Sequence, residues 1–353
     1  MSTQNIEEVF QREFGPNRLR LNEPMNLHTT FRIGGPADFY FEARSIVEVQ
    51  EALKLCREEA SPYLVIGVGA NLLVGDKGIR GLVIRPLIND MKIFGPLEPS
   101  KGNQLRVREA LGHYRSYDED LYLKFDDLEM EEPRPDTLVR VGAGALLPQL
   151  IIWSLEQNLT GLQNFAGIPA SVGGCLYNNI HGGTRLFDEF VYEVILLDRK
   201  GRPFRLSHAE MEFAYDQSRL QHTGEIVLEA ILKLSHGDIE RARRVRLEWL
   251  KRKLKIQPQK DCPGCIFKNL SPETSQKILA PTVAAGWVID VGLGLKGTKI
   301  GGVKISEKHA NFFVNDGTAK AVDVLELIGL VKAKAREKFG IDLVEEIQMV
   351  GEF

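Results

Sequence analysis

The feature that most restricts this chain is a run of small residues from Gly161 to Gly174, holding Gly161, Gly167, Pro169, Ser171, Gly173 and Gly174. So few side chains add little to a core. The run therefore serves either a close helix–strand crossing or the packing of a flat ring or phosphate directly on backbone, and its density of small residues favours the ligand. Upstream, the apolar run Tyr63 to Ile66 ends in Gly67–Val68–Gly69–Ala70–Asn71. Glycines there let backbone N–H groups reach a diphosphate, with Asn71 turning the chain or donating to it. A plain tight turn after a strand fits the same residues.

Helical periods cover Ile6 to Phe14, Ile46 to Glu59, Leu147 to Gln157, Asp238 to Lys255 and Ala321 to Phe339. Strand patterns cover Ala37 to Glu42, Tyr63 to Ile66, Leu72 to Val74, Leu82 to Ile84, Leu138 to Gly142 and Ile226 to Leu234. Two more strands flank a turn at Arg199–Lys200–Gly201, and others are read at Gly301 to Ile305, Phe312 to Val314 and Glu345 to Val350. The irregular mixture is α+β. Three sections are expected: 1–86, 87–236 and 237–353. An acidic insertion at about 97–136 surrounds the strand-like Leu121 to Phe125 and reads as a solvated surface hairpin, with an acidic interaction arm as the alternative.

Composition removes several classes. A net charge of −3 leaves no basic excess for nucleic acid. No apolar run approaches the roughly 18 residues that span a bilayer. Met1 to Phe14 lacks the basic and apolar regions of a signal peptide, and four cysteines are too few for a disulfide scaffold. A cytoplasmic, soluble protein without membrane or nucleic-acid partners is expected.

Gly292–Leu293–Gly294–Leu295–Lys296–Gly297 fits the dinucleotide spacing, but a strand rather than a helix follows it, so a turn-rich connection is expected. Cys262–Pro263–Gly264–Cys265 lacks the second ligand pair of a zinc site and the following helix of a thioredoxin motif. A single functional thiol is the sharper reading and two incidental cysteines the plain one. The basic helix Asp238 to Lys255 reads as a solvated face, with Lys253 and Lys255 the candidates for phosphate. Ser306 to Asn311 packs five polar side chains before an apolar strand, and ordering them requires partners.

In this order the segments resemble the UDP-N-acetylenolpyruvoylglucosamine reductase (MurB) family. They are Thr30 to Asp38, Gly69 to Val74, Gly167 to Gly174, Gly264 to Asn269, Ile300–Gly301–Gly302, Ser306 to Asn311 and Glu345–Glu346–Ile347. The short connection from Tyr215 to Cys265 resembles the family's compact type. The resemblance implies a two-subdomain FAD-binding domain of the PCMH/vanillyl-alcohol-oxidase-like kind, followed by an α/β C-terminal substrate domain. It implies FAD, held non-covalently, and NADPH as reductant of a UDP-linked enolpyruvyl sugar, in a protein expected to be monomeric and to need no metal. The residues implied for FAD are Arg32, Gly67, Val68, Gly69, Ala70, Asn71, Leu72, Gly167, Ile168, Pro169, Ser171, Gly173, Gly174 and Gly264. Those implied for substrate are Tyr215, Lys253, Lys268 and Asn269.

The family's proton-donating serine is Cys265 here, and Glu346 matches its acid. A thiol, with an ordinary pKa of about 8.5, can also donate a proton. The arginine that follows the family's tyrosine is Asp216, and an arginine stands three residues later at Arg219. Either Arg219 enters the site with Asp216 as its ion-pair partner, or Asp216 points away; the first is the expectation, making Arg219 the third catalytic residue. A degenerate FAD-binding protein without reductase activity is the alternative that Asp216 suggests. A flavin oxidase or a thiol-redox or zinc protein stands further off.

Overall fold

The computed structural model describes residues 3–15, 17–97, 134–183 and 185–353. The acidic insertion, with Leu121 to Phe125, lies almost wholly outside the described residues. The strands on either side of it, Met91–Pro96 and Thr137–Gly142, pair antiparallel.

The first sheet has the order Leu19–Pro24, Pro36–Ala43, Ile79–Pro86, Tyr63–Val65. The first pair is antiparallel and the others parallel. Against it lies the helix Ile46–Glu58, whose Val49, Ala52, Leu53, Leu55 and Cys56 are buried at helical spacing. Ser45 caps that helix by accepting from the Glu48 N–H at 3.2 Å. Leu19–Pro24 reads as turn-rich in sequence because it is an edge strand that buries only Leu19. Met91–Pro96 is hidden for the same reason, with no fully buried residue.

Among the described residues the second sheet has six strands. Its centre is Ile226–His236, paired antiparallel with Val191–Leu197 and with Thr137–Gly142. The helices Leu147–Glu156 and Ile239–Ile256 pack into its core, the second through Ala242, Val245 and Trp249. The basic helix, assigned above to the section 237–353, thus shares the core of the section before it.

The C-terminal layer holds short strands Lys299–Ile300, Val303–Ile305 and Phe313–Asn315 beside the helix Ala321–Phe339. The strand expected over Gly301 to Ile305 is broken at its start: Gly301, at φ +51°, and Gly302 turn the chain between two strands. A Cβ on Gly301 would lie 2.3 Å from the Asp323 carboxyl. The strand expected over Glu345 to Val350 is confined to Gln348–Val350. It pairs parallel with Leu72–Val74, so the end of the chain returns to its first section. Phe31, Ile33 and Leu73 complete the C-terminal core. The class is α+β, as expected.

Candidate functional site

A cavity of about 1800 Å³ opens where the two glycine-rich segments, the end of the helix Ile239–Ile256 and the segment from Cys262 to Asn269 converge. Its lining includes Arg32, Gly67, Val68, Gly69, Ala70, Asn71 and Leu72 from the first segment's surroundings. Gly167, Ile168, Pro169, Ser171, Gly173 and Gly174 line it from the second. Lys253, Gly264, Cys265, Lys268, Asn269 and Glu346 complete the residues singled out from sequence. Tyr215, Arg219 and the exposed Lys255 do not line it.

Gly69 sits at φ +67°, and a Cβ there would meet the His28 carbonyl oxygen at 2.1 Å. Only glycine allows that approach. A Cβ on Gly67 would lie 2.4 Å from Ser171 Oγ, so the two segments meet backbone to side chain. The second segment is less loop-like than its composition suggests. Ser171 caps a short helix, Val172–Asn178, by accepting from Gly174 N–H at 3.4 Å. The Asn71 amide donates to the Glu346 carbonyl at 3.0 Å, which ties the first segment to the far side of the cavity.

The stem of Lys253 lies against Gly167, where a Cβ would reach its Cδ at 3.0 Å. The Lys253 ammonium is buried and has no hydrogen-bond partner among the described residues. Burial pushes it down to about 7. A buried cation without a partner is costly, and a phosphate in the cavity would supply one. Glycine cradle and orphaned ammonium together suit a diphosphate-bearing group such as FAD or a UDP-sugar.

The polar cluster Ser306 to Asn311 finds its partners within the chain. Ser306 Oγ accepts from the N–H groups of Lys308 and His309 at 3.1 and 3.4 Å. Asn311 donates to the Phe267 carbonyl at 2.8 Å and accepts from the Phe267 N–H at 3.0 Å. Glu346 N–H donates to the Ile266 carbonyl at 2.8 Å. Residues 265–268 are thereby held between Asn311 and the segment 344–346, and Cys265 and Glu346 share one electrostatic environment. Burial pushes the Cys265 thiol well above its ordinary value, and the carboxyls of Glu346 and Asp216 add to the effect. Burial and Asp216 also push the Glu346 carboxyl up, against the pull of Lys268. Both shifts favour the protonated forms. Burial lowers His309 to about 4 and so keeps its ring neutral.

Lys268 Nζ donates to the Asp216 carbonyl at 3.4 Å. Asn269 donates to Tyr215 Oη at 3.0 Å and accepts from Ala285 N–H at 3.1 Å. Tyr215 thus meets the cavity through Asn269 and through the ring of His181, on which it stacks at 5.3 Å. Cys262 and Cys265 are free thiols, and the bridge of Cys265 to Phe312 replaces the helix a thioredoxin motif needs. Among the described residues no three His, Cys, Asp or Glu side chains are grouped to hold a metal ion. No described helix is long and apolar enough to cross a membrane.

Arg219 requires a correction. Its guanidinium pairs with both carboxylate oxygens of Glu225, at 2.9 and 3.0 Å, and with the Glu210 carbonyl at 3.1 Å. The chain turns back at Gly224, φ +67°, and presents Glu225, itself at the cavity wall, as a two-pronged partner that holds the Arg219 guanidinium out of the lining. Asp216 neither pairs with Arg219 nor points away; it lines the cavity, with Oδ1 3.4 Å from His181 Nδ1. His181 also lines the cavity, yet no local sequence pattern marks it, because it meets Asp216 only in the folded chain.

Residues 257–350 match the family described as UDP-N-acetylenolpyruvoylglucosamine reductase, C-terminal domain. A relative from Bacillus anthracis, named UDP-N-acetylenolpyruvoylglucosamine reductase 1, is 34% identical over 99% of this chain and 99% of its own. One from Clostridium botulinum, with the same enzyme name, is 31% identical over 99% and 97%. The crystal structure of UDP-N-acetylenolpyruvylglucosamine reductase (MurB) from Thermus caldophilus superposes with a TM-score of 0.67 at 29% identity, covering 94% of this chain and 98% of that one.

Proposed function

The chain belongs to the UDP-N-acetylenolpyruvoylglucosamine reductase family, and on that premise we propose that it reduces the enolpyruvyl group of a UDP-linked N-acetylglucosamine with NADPH, giving UDP-N-acetylmuramate for peptidoglycan. The observation that carries this reading is the convergence of Cys265 and Glu346, two acids that burial pushes toward their protonated forms, on a glycine-lined cavity large enough for a dinucleotide and a nucleotide sugar. When bound, FAD supplies the relay of a hydride from NADPH to the enolpyruvyl double bond.

The residues of Gly67 to Leu72 and Gly167 to Gly174, with Arg32 and Gly264, hold the cofactor without a covalent bond. Lys253 takes a diphosphate oxygen. Hydride addition to the terminal carbon of the enolpyruvyl group leaves negative charge on the carbon next to the carboxyl group, delocalised into that group as an enolate. The Cys265 S–H bond breaks and its proton goes to the enolate carbon, leaving a thiolate that solvent reprotonates. Glu346 donates a hydrogen bond to the enolate oxygen while the charge is present, and Lys268 supplies the nearby positive charge. Asn269, fixed by Ala285 and Tyr215, meets the sugar. The protein acts in the cytoplasm as a monomer. An NADPH oxidation assay with and without the UDP-enolpyruvyl sugar tests the reading. Oxidation that depends on the sugar supports it; flavin reduction that the sugar never relieves favours the degenerate FAD-binding alternative.

A further inference from the structure

The position where relatives of this chain are expected to carry a cation is an acid, and the fold takes pains to keep it in the cavity. Ala214 and Gln217 exchange backbone hydrogen bonds of 3.0 and 3.2 Å, closing a tight turn whose tip is Tyr215 and Asp216. The buried Asn179 donates to the Ala214 carbonyl at 2.8 Å and to Asp188 Oδ1 at 3.1 Å, and Asp188 in turn meets His208 at 3.0 Å. Asp216 is buried at φ +50°, a conformation that non-glycine residues adopt at a cost. Its Oδ2 is buried with no hydrogen-bond partner among the described residues. Strain and an unpaired buried oxygen at one cavity residue point to a role there rather than in stability.

We propose that Asp216 is a positioning residue of the active site: anchored on His181 in the cavity that Cys265, Lys268 and Glu346 also line, its buried carboxylate acts through Cys265 and Glu346 on the proton delivered to the enolate. The groups that act on the pair are few. Burial weighs most on Cys265, then Glu346 and then Asp216, with Asn311 opposing through a hydrogen bond and Cys262 adding a smaller repulsion. Asp216 and Lys268 bear on Glu346 with opposite signs. Lys268 bonds to the Asp216 carbonyl rather than to its carboxylate, so the side-chain charge stays unneutralised by that amine. A guanidinium at this position would attract the enolate but would also draw protons off both donors. An acid does the reverse, and the enolate is then quenched by a proton transfer that is already loaded.

The consequence for turnover rests on the reductase reading, but the charge relationship can be measured without substrate. The FAD-loaded protein, carrying Cys262→Ser, is alkylated with iodoacetamide across pH and the modification of Cys265 is followed by peptide mass. Cys56 and Cys175 are buried. Asp216→Asn and Asp216→Gly both suit a positive φ and should move the Cys265 profile down by about one pH unit, or about tenfold in rate below the midpoint. Asp216→Glu should restore the original profile, which mere loosening of the turn would not do. Superimposable profiles for the acid and both neutral variants would overturn the inference. So would a glutamate profile that follows the neutral ones. Sugar-dependent NADPH oxidation by the native protein reports separately on the reductase reading.

Discussion

The ammonium of Lys332 lies 2.6 Å from the carboxylate of Glu345, while the next residue, Glu346, lines the cavity. Adjacent extended residues point to opposite sides, so only one of these two acids can serve the chemistry. Glu346→Gln should cripple reduction of the sugar while NADPH still reduces the flavin, and Glu345→Gln should leave both steps within about twofold. Rapid mixing of each half-reaction checks this. The reverse pattern would assign the acid to Glu345.

Cys265→Ala should slow the sugar half-reaction by about a hundredfold or more, the scale of a positioned general acid, with flavin reduction retained. Cys265→Ser should keep activity, because a hydroxyl in this position is the arrangement the family resemblance implies. Single-turnover kinetics with and without solvent deuterium distinguish the proton step; an unimpaired alanine variant would remove Cys265 from it.

Arg219→Ala is expected to turn over the sugar at the native rate. The pair with Glu225 is partly exposed, with side chains 24% and 12% accessible, so its loss should cost no more than about 1 kcal/mol of stability. Steady-state kinetics and a melting curve read both effects. A collapse of turnover with FAD retained would return Arg219 to the site.

Lys253 gives a prediction in pH. Its folded value of about 7 lies below the ordinary 10.5, so the folded chain binds fewer protons than the unfolded one between these values. The burial penalty is full below about pH 7 and fades as pH rises through about 10.5. Lys253→Met should therefore raise the melting temperature of the substrate-free protein near pH 6, with the gain vanishing toward pH 10. The same variant should bind the UDP-sugar about tenfold more weakly at pH 7, the scale of one charge-assisted hydrogen bond. Thermal melts across pH and a KM comparison test the two signs.

The legible parts of the chain are those whose burial follows a period. Ala321–Phe339 buries Val324, Leu327, Ile328, Val331 and Ala335, and its limits are those read from sequence. Ile46–Glu58 and Ile239–Ile256 are similar, the second capped by Asp238. Edge strands with one buried residue or none leave no such trace. Neither does Val172–Asn178, a helix with two glycines in its first turn that sequence reads as loop. The glycine-rich segments, Cys265 and Glu346 stand in motifs that the sequence marks, and all of them line one cavity. The partners of Arg219 and Asp216 were not: Glu225 is brought round by a glycine turn, and His181 is 35 residues from Asp216. The three-residue spacing of Asp216 and Arg219 suggested a local ion pair, but the turn at Ala214–Gln217 separates them.

The central claim is tested most directly by a single turnover. The protein is reduced anaerobically with one equivalent of NADPH and mixed with the UDP-enolpyruvyl sugar. The account predicts that the flavin absorbance returns and that one UDP-N-acetylmuramate forms per flavin. A flavin that stays reduced in the presence of the sugar, and reoxidises only when oxygen is admitted, would contradict it.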